Sequence, residues 1–135
     1  MALALRAGFV YFALVFTAGF VLGTIRIFIT LPHLGPTLAV LVEIPVILAI
    51  CWFAAKWIVG KLAVPAVIAD RLVMGFAAFA FLMFAEFVLA IAGFGLTLVG
   101  SLRVLATPQG AIGLASQMFF ALFPYLLLRR SGVDE

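Results

Sequence analysis

Two carboxylate side chains, Glu43 and Glu86, lie inside stretches of sequence that are otherwise almost entirely apolar. A charge at the centre of a bilayer costs at least about 2.5–3.5 kcal/mol, so such a residue usually has a partner or a function. A carboxyl group in apolar surroundings can bind a cation, exchange a proton or hydrogen-bond to a polar neighbour. No catalytic motif surrounds either acid. We therefore expect binding or proton exchange rather than catalysis.

Arg26 and Glu43 are predicted to meet near one end of two neighbouring helices. Arg26 lies four residues before the predicted end of the first helix, and Glu43 lies five residues after the predicted start of the second helix. At about 1.5 Å per residue, both side chains are therefore about 6–8 Å from the helix ends that face the same side of the membrane. An ion pair there would join the helices, and it would be strong only if both groups also found hydrogen bonds. Alternatively, Arg26 extends toward lipid headgroups, or the two residues bind a ligand. Pro45 frees the carbonyl of Leu41, which marks a kink or supplies a ligand oxygen.

Glu86 is predicted to lie close to the middle of a bilayer, about 16 Å from the nearer end of its helix. Gln117, about 11 Å deep in the following helix, is the polar side chain best placed to reach it. In one interpretation Glu86 is uncharged and hydrogen-bonded to Gln117 or to a backbone carbonyl, because a buried carboxylate would lose its hydration. In a second it is a protonatable or cation-binding site in an interior cavity. In a third it pairs across a subunit interface.

Small residues are predicted to let the helices approach closely near these acids. Gly19 and Gly23 form a GxxxG pattern in the first apolar segment, and Arg26 continues the same helix face. Gly93 shares a face with Glu86 further along the chain. Such residues are enriched where membrane helices touch, either within one chain or between two copies.

Other residue types add little chemistry. Cys51 is the single cysteine and lies within an apolar segment, which excludes an internal disulfide and favours an inert side chain. His33 is the single histidine and has no second ligand near it, so we expect no metal site. No cofactor motif is present. The net charge of +3 is not gathered into a basic run, so we expect no nucleic-acid partner.

Composition places the chain in a membrane. It is 68% hydrophobic and 10% charged with a mean hydropathy of +1.42, whereas soluble domains are about 45–50% apolar and about 25% charged. Four apolar segments, residues 8–30, 38–59, 72–99 and 110–128, reach or approach the about 20 residues needed to cross a bilayer. Only helices satisfy the backbone within each segment. We therefore predict one all-α domain, residues 1–135, built as an up-down-up-down bundle of four transmembrane helices.

Breakers and caps mark the predicted connections. Thr107 is expected to cap the fourth helix with Pro108 at its first position, and Asp70 to cap the third. Trp57, Tyr125 and Tyr11 suit an interfacial aromatic belt.

The distribution of Lys and Arg predicts the orientation. Two of these residues, Arg26 and Arg103, lie on one side of the predicted bundle, and six lie on the other. Those six are Arg6, Lys56, Lys61, Arg71, Arg129 and Arg130. Because positive residues favour the cytoplasmic side, both termini are predicted to be cytoplasmic.

Several runs of the sequence resemble a group of short bacterial inner-membrane proteins. These runs are residues 6–26, Leu41-Val42-Glu43-Ile44-Pro45, Arg71-Leu72-Val73-Met74-Gly75 and Leu82-Met83-Phe84-Ala85-Glu86. The resemblance implies a four-helix protein of the bacterial inner membrane and no assigned activity.

We expect a non-enzymatic protein in which Arg26, Glu43, Glu86 and Gln117 form a polar cluster within the membrane. The cluster would bind or translocate a small cation, a proton or an amphiphile. One alternative is an accessory subunit of a larger membrane complex. Another is a small membrane enzyme acting on a lipophilic substrate. The expected surroundings are the lipid bilayer and either further copies of the chain or a larger membrane complex.

Overall fold

Every regular element within residues 2–93 and 95–133 is helical. The computed structural model describes these two ranges, with side chains except at positions 109 and 129–133. The α-helices are α1 (Ala2–Ile25), α2 (Leu31–Lys61), α3 (Ile68–Val88), α4 (Leu98–Leu105) and α5 (Pro108–Val133). A π turn, Arg26–Thr30, joins α1 to α2, and a second π turn, Leu89–Gly93, extends α3.

The first two predicted helices are joined by a bend at one residue rather than by a loop. Gly35 has a φ of 80° and a ψ of 170°, while the residues around it stay helical. The positive φ suits glycine, and the following Pro36 disfavours helical backbone at the residue before it. At about 1.5 Å per residue, a straight helix over Ala2–Lys61, 60 residues, would be about 90 Å long, three times a bilayer core. The bend instead brings α1 and α2 side by side.

Both ends of the third helix lie before the bounds predicted from the sequence, which were residues 72 and 99. It runs from Ile68 through the second π turn to Gly93; residue 94 lies outside the described residues, and Gly95 has a φ of 71°. The amide of Leu96 donates to the carbonyl of Ala90 at 3.0 Å and closes the helix end. The short helix α4 then occupies much of the predicted third connection.

Two threonines cap the last two helices. The amide of Gly110 donates to Thr107 Oγ1 at 3.1 Å, which confirms the predicted cap of α5. The amide of Gly100 donates to Thr97 Oγ1 at 2.9 Å, a cap of α4 that was not predicted. Asp70 is not the cap of α3, because that helix begins two residues before it. Its carboxylate lies instead in the first turn, where the helix dipole favours a negative charge.

The four long helices form a ring. The helices α1 and α5 each pack against both α2 and α3, so α3 follows α2 in the chain but has α1 and α5 as its main neighbours. Three continuous helical stretches are long and apolar enough to cross a membrane by length and composition: Ala2–Lys61, Ile68–Gly93 and Gly110–Leu128. The first of these, folded at Gly35, contains two of the four predicted spans.

Two glycines away from the predicted packing motif let the helices touch. A Cβ atom on Gly75 in α3 would overlap the backbone of Ala121 in α5, and one on Gly8 in α1 would lie 2.7 Å from the carbonyl oxygen of Met74. These contacts hold α3 close to α5 and to α1. By contrast, a Cβ atom on Gly19 would meet no heavy atom within 4 Å, and one on Gly23 only the Arg26 side chain. Gly93 has the side chain of Leu89, one turn back, as its near neighbour.

Candidate functional site

The Arg26–Glu43 ion pair is present. Arg26 Nη1 donates to Glu43 Oε2 at 2.6 Å, and the two side chains are 33% and 16% exposed. Arg26 opens the first π turn, and the bend at Gly35 brings α2 back alongside it. Single π turns within α-helices occur frequently at functional sites.

Glu86 and Gln117 are also in contact, as predicted. Gln117 Nε2, from α5, lies 2.7 Å and 2.8 Å from the two carboxyl oxygens of Glu86 in α3. The Gln117 carbonyl oxygen Oε1 is buried and has no hydrogen-bond partner among the described residues. Turning this amide over would let a protonated Glu86 donate to Oε1 and would leave the amide nitrogen unpaired instead. In either arrangement, one of the two polar atoms of the Gln117 amide has no hydrogen-bond partner within this pair.

Both pairs line one cavity of about 370 Å³ that is bordered by α1, the first π turn, α2, α3, the second π turn and α5. Gly19 and Gly23 line it too, so the glycines of the GxxxG pattern border open space rather than another helix. Most of the wall is aliphatic or aromatic. The polar side chains in the wall are Thr24, Arg26, Glu43, Glu86, Ser116 and Gln117.

Tyr11 and Phe120 pack together in the centre of the ring. Their rings stack with centroids 4.3 Å apart, and the Tyr11 hydroxyl donates to the Phe120 carbonyl oxygen at 2.7 Å. That carbonyl is available because Pro124, four residues later, has no amide hydrogen to donate to it. The expected interfacial place of Tyr11 is therefore wrong, since this side chain is fully buried. Phe120 also lines the cavity.

Arg71 has a buried, structural place that the sequence did not reveal. Its Nε donates to the carbonyl of Pro65 at 3.2 Å and its Nη1 to that of Pro124 at 3.1 Å. The two carbonyls belong to the connection before α3 and to α5, so Arg71 ties these two parts of the chain together. A proline four residues after an unpaired carbonyl was the signal that could have located the contact of Tyr11 with Phe120.

The remaining candidates do not add a second polar centre. Cys51 is buried and lines the cavity. Within residues 2–93 and 95–133, no three His, Cys, Asp or Glu side chains are grouped as metal ligands would be. Gly93 lies away from the cavity, at a groove on the outer surface of α1 and α3.

Comparisons of the chain with models of protein families, with curated proteins and with solved structures gave no match. The geometry of the cavity is therefore what supports a function.

Proposed function

We propose that this protein binds a small organic ammonium ion in the cavity between its helices, with Glu86 as the counterion. The observation that carries the proposal is that only one of the two acids in the cavity wall is paired with a cationic side chain. Glu43 has Arg26 as its cationic partner, whereas Glu86 has only the Gln117 amide in the part of the chain that the structure describes. A bound cation would supply the charge that Glu86 lacks.

The unpaired oxygen of Gln117 favours a cation that carries N–H groups. A buried acceptor without a donor costs about 1–3 kcal/mol. A primary ammonium group has three N–H donors and could reach both the Glu86 carboxylate and Gln117 Oε1. Charge-assisted hydrogen bonds of this kind are stronger than neutral ones.

The walls of the cavity favour an organic ligand over a bare metal ion. Hard cations such as Ca²⁺ take six to eight oxygen ligands, and the described residues contain no group of acidic ligands of that kind. Apolar walls around a few polar groups are typical of small-molecule sites, which occupy about 300–1,000 Å³. The cavity volume of about 370 Å³ falls in this range.

The proposed setting is a bacterial inner membrane crossed four times, with both termini in the cytoplasm. The six-to-two division of Lys and Arg supports this orientation. Two of those residues carry less weight than the count implies, because Arg26 is engaged by Glu43 and Arg71 is buried. The side chains of Arg129 and Arg130 lie outside the described residues.

Cys51 allows a direct test, because it is the single cysteine of the chain and lines the cavity. The protein in lipid nanodiscs would be treated with methyl methanethiosulfonate, and the rate of Cys51 modification measured with increasing benzylammonium. Saturable protection is expected. Glu86→Gln should weaken the protection at least tenfold, which corresponds to about 1.4 kcal/mol.

Two controls separate binding from other effects. Ethylbenzene, in which a methyl group replaces the ammonium, should protect no better in the natural protein than in Glu86→Gln. The stability of Glu86→Gln should change by less than about 1 kcal/mol, because an amide at this position can still bond to Gln117. Equal protection by ethylbenzene and benzylammonium, or no protection by either, would contradict the proposal.

A further inference from the structure

A second cavity, of about 720 Å³, forms a groove along the outer surface of α1 and α3. Its wall is apolar and includes five phenylalanines: Phe9, Phe12, Phe16, Phe81 and Phe84. Phe84 is 72% exposed, so the groove faces outward. An apolar surface of this kind is suited to the acyl-chain region of a bilayer, where water would not fill it.

The groove adjoins the cavity that contains Glu86. Phe16 of α1 and Leu89 of the second π turn line both spaces. Their side chains can change rotamer without displacing a helix, and such changes are fast where a residue is not fully buried. Leu89 also lies three residues after Glu86, which is about 5 Å along the helix axis. A group bound at Glu86 therefore has the end of the groove beside it.

We infer that the ligand is a single-chain amphiphile, with its ammonium head at Glu86 and its apolar chain in the groove between α1 and α3. This inference rests on the proposed function, and it adds the second half of the ligand and its route. The chain passes between Phe16 and Leu89, so the ligand enters sideways from the lipid. The Glu86 carboxylate in the cavity matches the ammonium head of such a molecule, and the apolar wall of the groove matches its hydrocarbon chain.

The test compares two amines of different length in protecting Cys51 from methyl methanethiosulfonate in nanodiscs. Benzylammonium is small, whereas the sixteen-carbon chain of hexadecylammonium needs space beyond the cavity. Ala92→Trp, at a position that lines the groove but not the cavity, should fill the groove: protection by hexadecylammonium should fall at least tenfold, and protection by benzylammonium should change less than threefold. Ile91→Trp is the matched control, because Ile91 lies in the same π turn, is exposed and lines neither space. It should leave both amines effective.

Val88→Trp, at a second position that lines the groove but not the cavity, should repeat the effect of Ala92→Trp and replaces it if that variant does not fold. Equal protection by hexadecylammonium in Ala92→Trp and Ile91→Trp would overturn the inference while leaving the cation site intact. Failure of both amines in the natural protein would overturn the cation site and the inference with it. A dimeric particle in which the groove is covered by a second copy, with protection independent of chain length, would also overturn it.

Discussion

Arg26 and Glu43 form an ion pair that is partly shielded from solvent, and its contribution to stability should lie between those of exposed and buried pairs. Arg26→Ala or Glu43→Ala should each lower the free energy of unfolding by about 1–3 kcal/mol, because each leaves one partly buried charge unpaired. Exchanging the charges, Arg26→Glu with Glu43→Arg, should recover much of that loss. Unfolding in mixed micelles measures all three variants.

Lys56→Ala provides the control for loss of a charge, because Lys56 is exposed and should change stability by less than about 0.5 kcal/mol. A charge exchange as damaging as the sum of the two single changes would show that the contact contributes no pairing energy.

A hydrogen bond across the centre of the ring links Tyr11 in α1 to α5, and we expect its strength to depend on Pro124. Tyr11→Phe removes the hydroxyl that donates to the Phe120 carbonyl, and the unpaired buried oxygen should cost about 1–3 kcal/mol. In the background of Pro124→Ala the same change should cost at least about 1 kcal/mol less, because alanine restores a main-chain amide that can donate to that carbonyl. The comparison is a double-mutant cycle measured by unfolding in mixed micelles.

The cycle distinguishes a hydrogen bond from simple packing. Phenylalanine keeps the ring stacked on Phe120, so the loss should come from the hydroxyl alone. The same cost in both backgrounds would mean that Pro124 is not the reason why the Phe120 carbonyl needs Tyr11.

Helix spacing should depend on Gly75 and not on Gly19. Gly75→Ala places a methyl group against the backbone of Ala121, and the forced separation of α3 from α5 should cost about 1–3 kcal/mol. Gly19→Ala projects into the open cavity and should leave stability unchanged or slightly raised, since alanine favours helix. Unfolding midpoints of the two variants give the comparison. A larger loss for Gly19→Ala would show that the GxxxG pattern packs against another surface, such as a second copy.

At the scale of the whole molecule, the orientation of the chain in the membrane is open to a direct measurement. A reporter enzyme that is active only outside the cytoplasm, fused after Glu135, should be silent, because the excess of Lys and Arg favours a cytoplasmic C-terminus. The same reporter inserted at residues 95–97, in the connection after α3, should be active. Activity at Glu135 with silence at 95–97 would reverse the orientation.

The apolar segments and the two polar pairs were predictable because each depends on local rules. Segment length identified the long helices, and the rise per residue put Arg26 level with Glu43 and Gln117 within reach of Glu86. In both polar pairs the two helices come from consecutive predicted segments that do pack together, α1 with α2 and α3 with α5, so depth along the axis was enough to match partners. The same rule fails for α2 and α3, which are consecutive in the chain but are not main neighbours. Thr107 followed from capping chemistry in the same way.

The cavity and the close contacts were not predictable, because they depend on how the helices rotate about their axes. The sequence shows GxxxG at Gly19 but does not show whether that face meets a helix or open space. The contact of Gly75 with Ala121 and the buried place of Tyr11 need the ring of helices to be known first. The single-residue bend at Gly35 was missed because a cluster of prolines and glycines is equally typical of a loop.

The separation of contacting residues along the chain sets the order in which the molecule can be completed during synthesis. Arg26 and Glu43 are 17 positions apart, so their charges can neutralise each other before α3 exists. Glu86 and Gln117 are 31 apart and meet only once much of α5 has been made. The hydrogen bond between Tyr11 and Phe120, which are 109 positions apart, can form only after Phe120 has been synthesised. During synthesis, the Tyr11 hydroxyl of α1 therefore lacks its hydrogen-bond acceptor until α5 has been made. Packing of α5 then completes the cavity wall and the ring of helices in the same step.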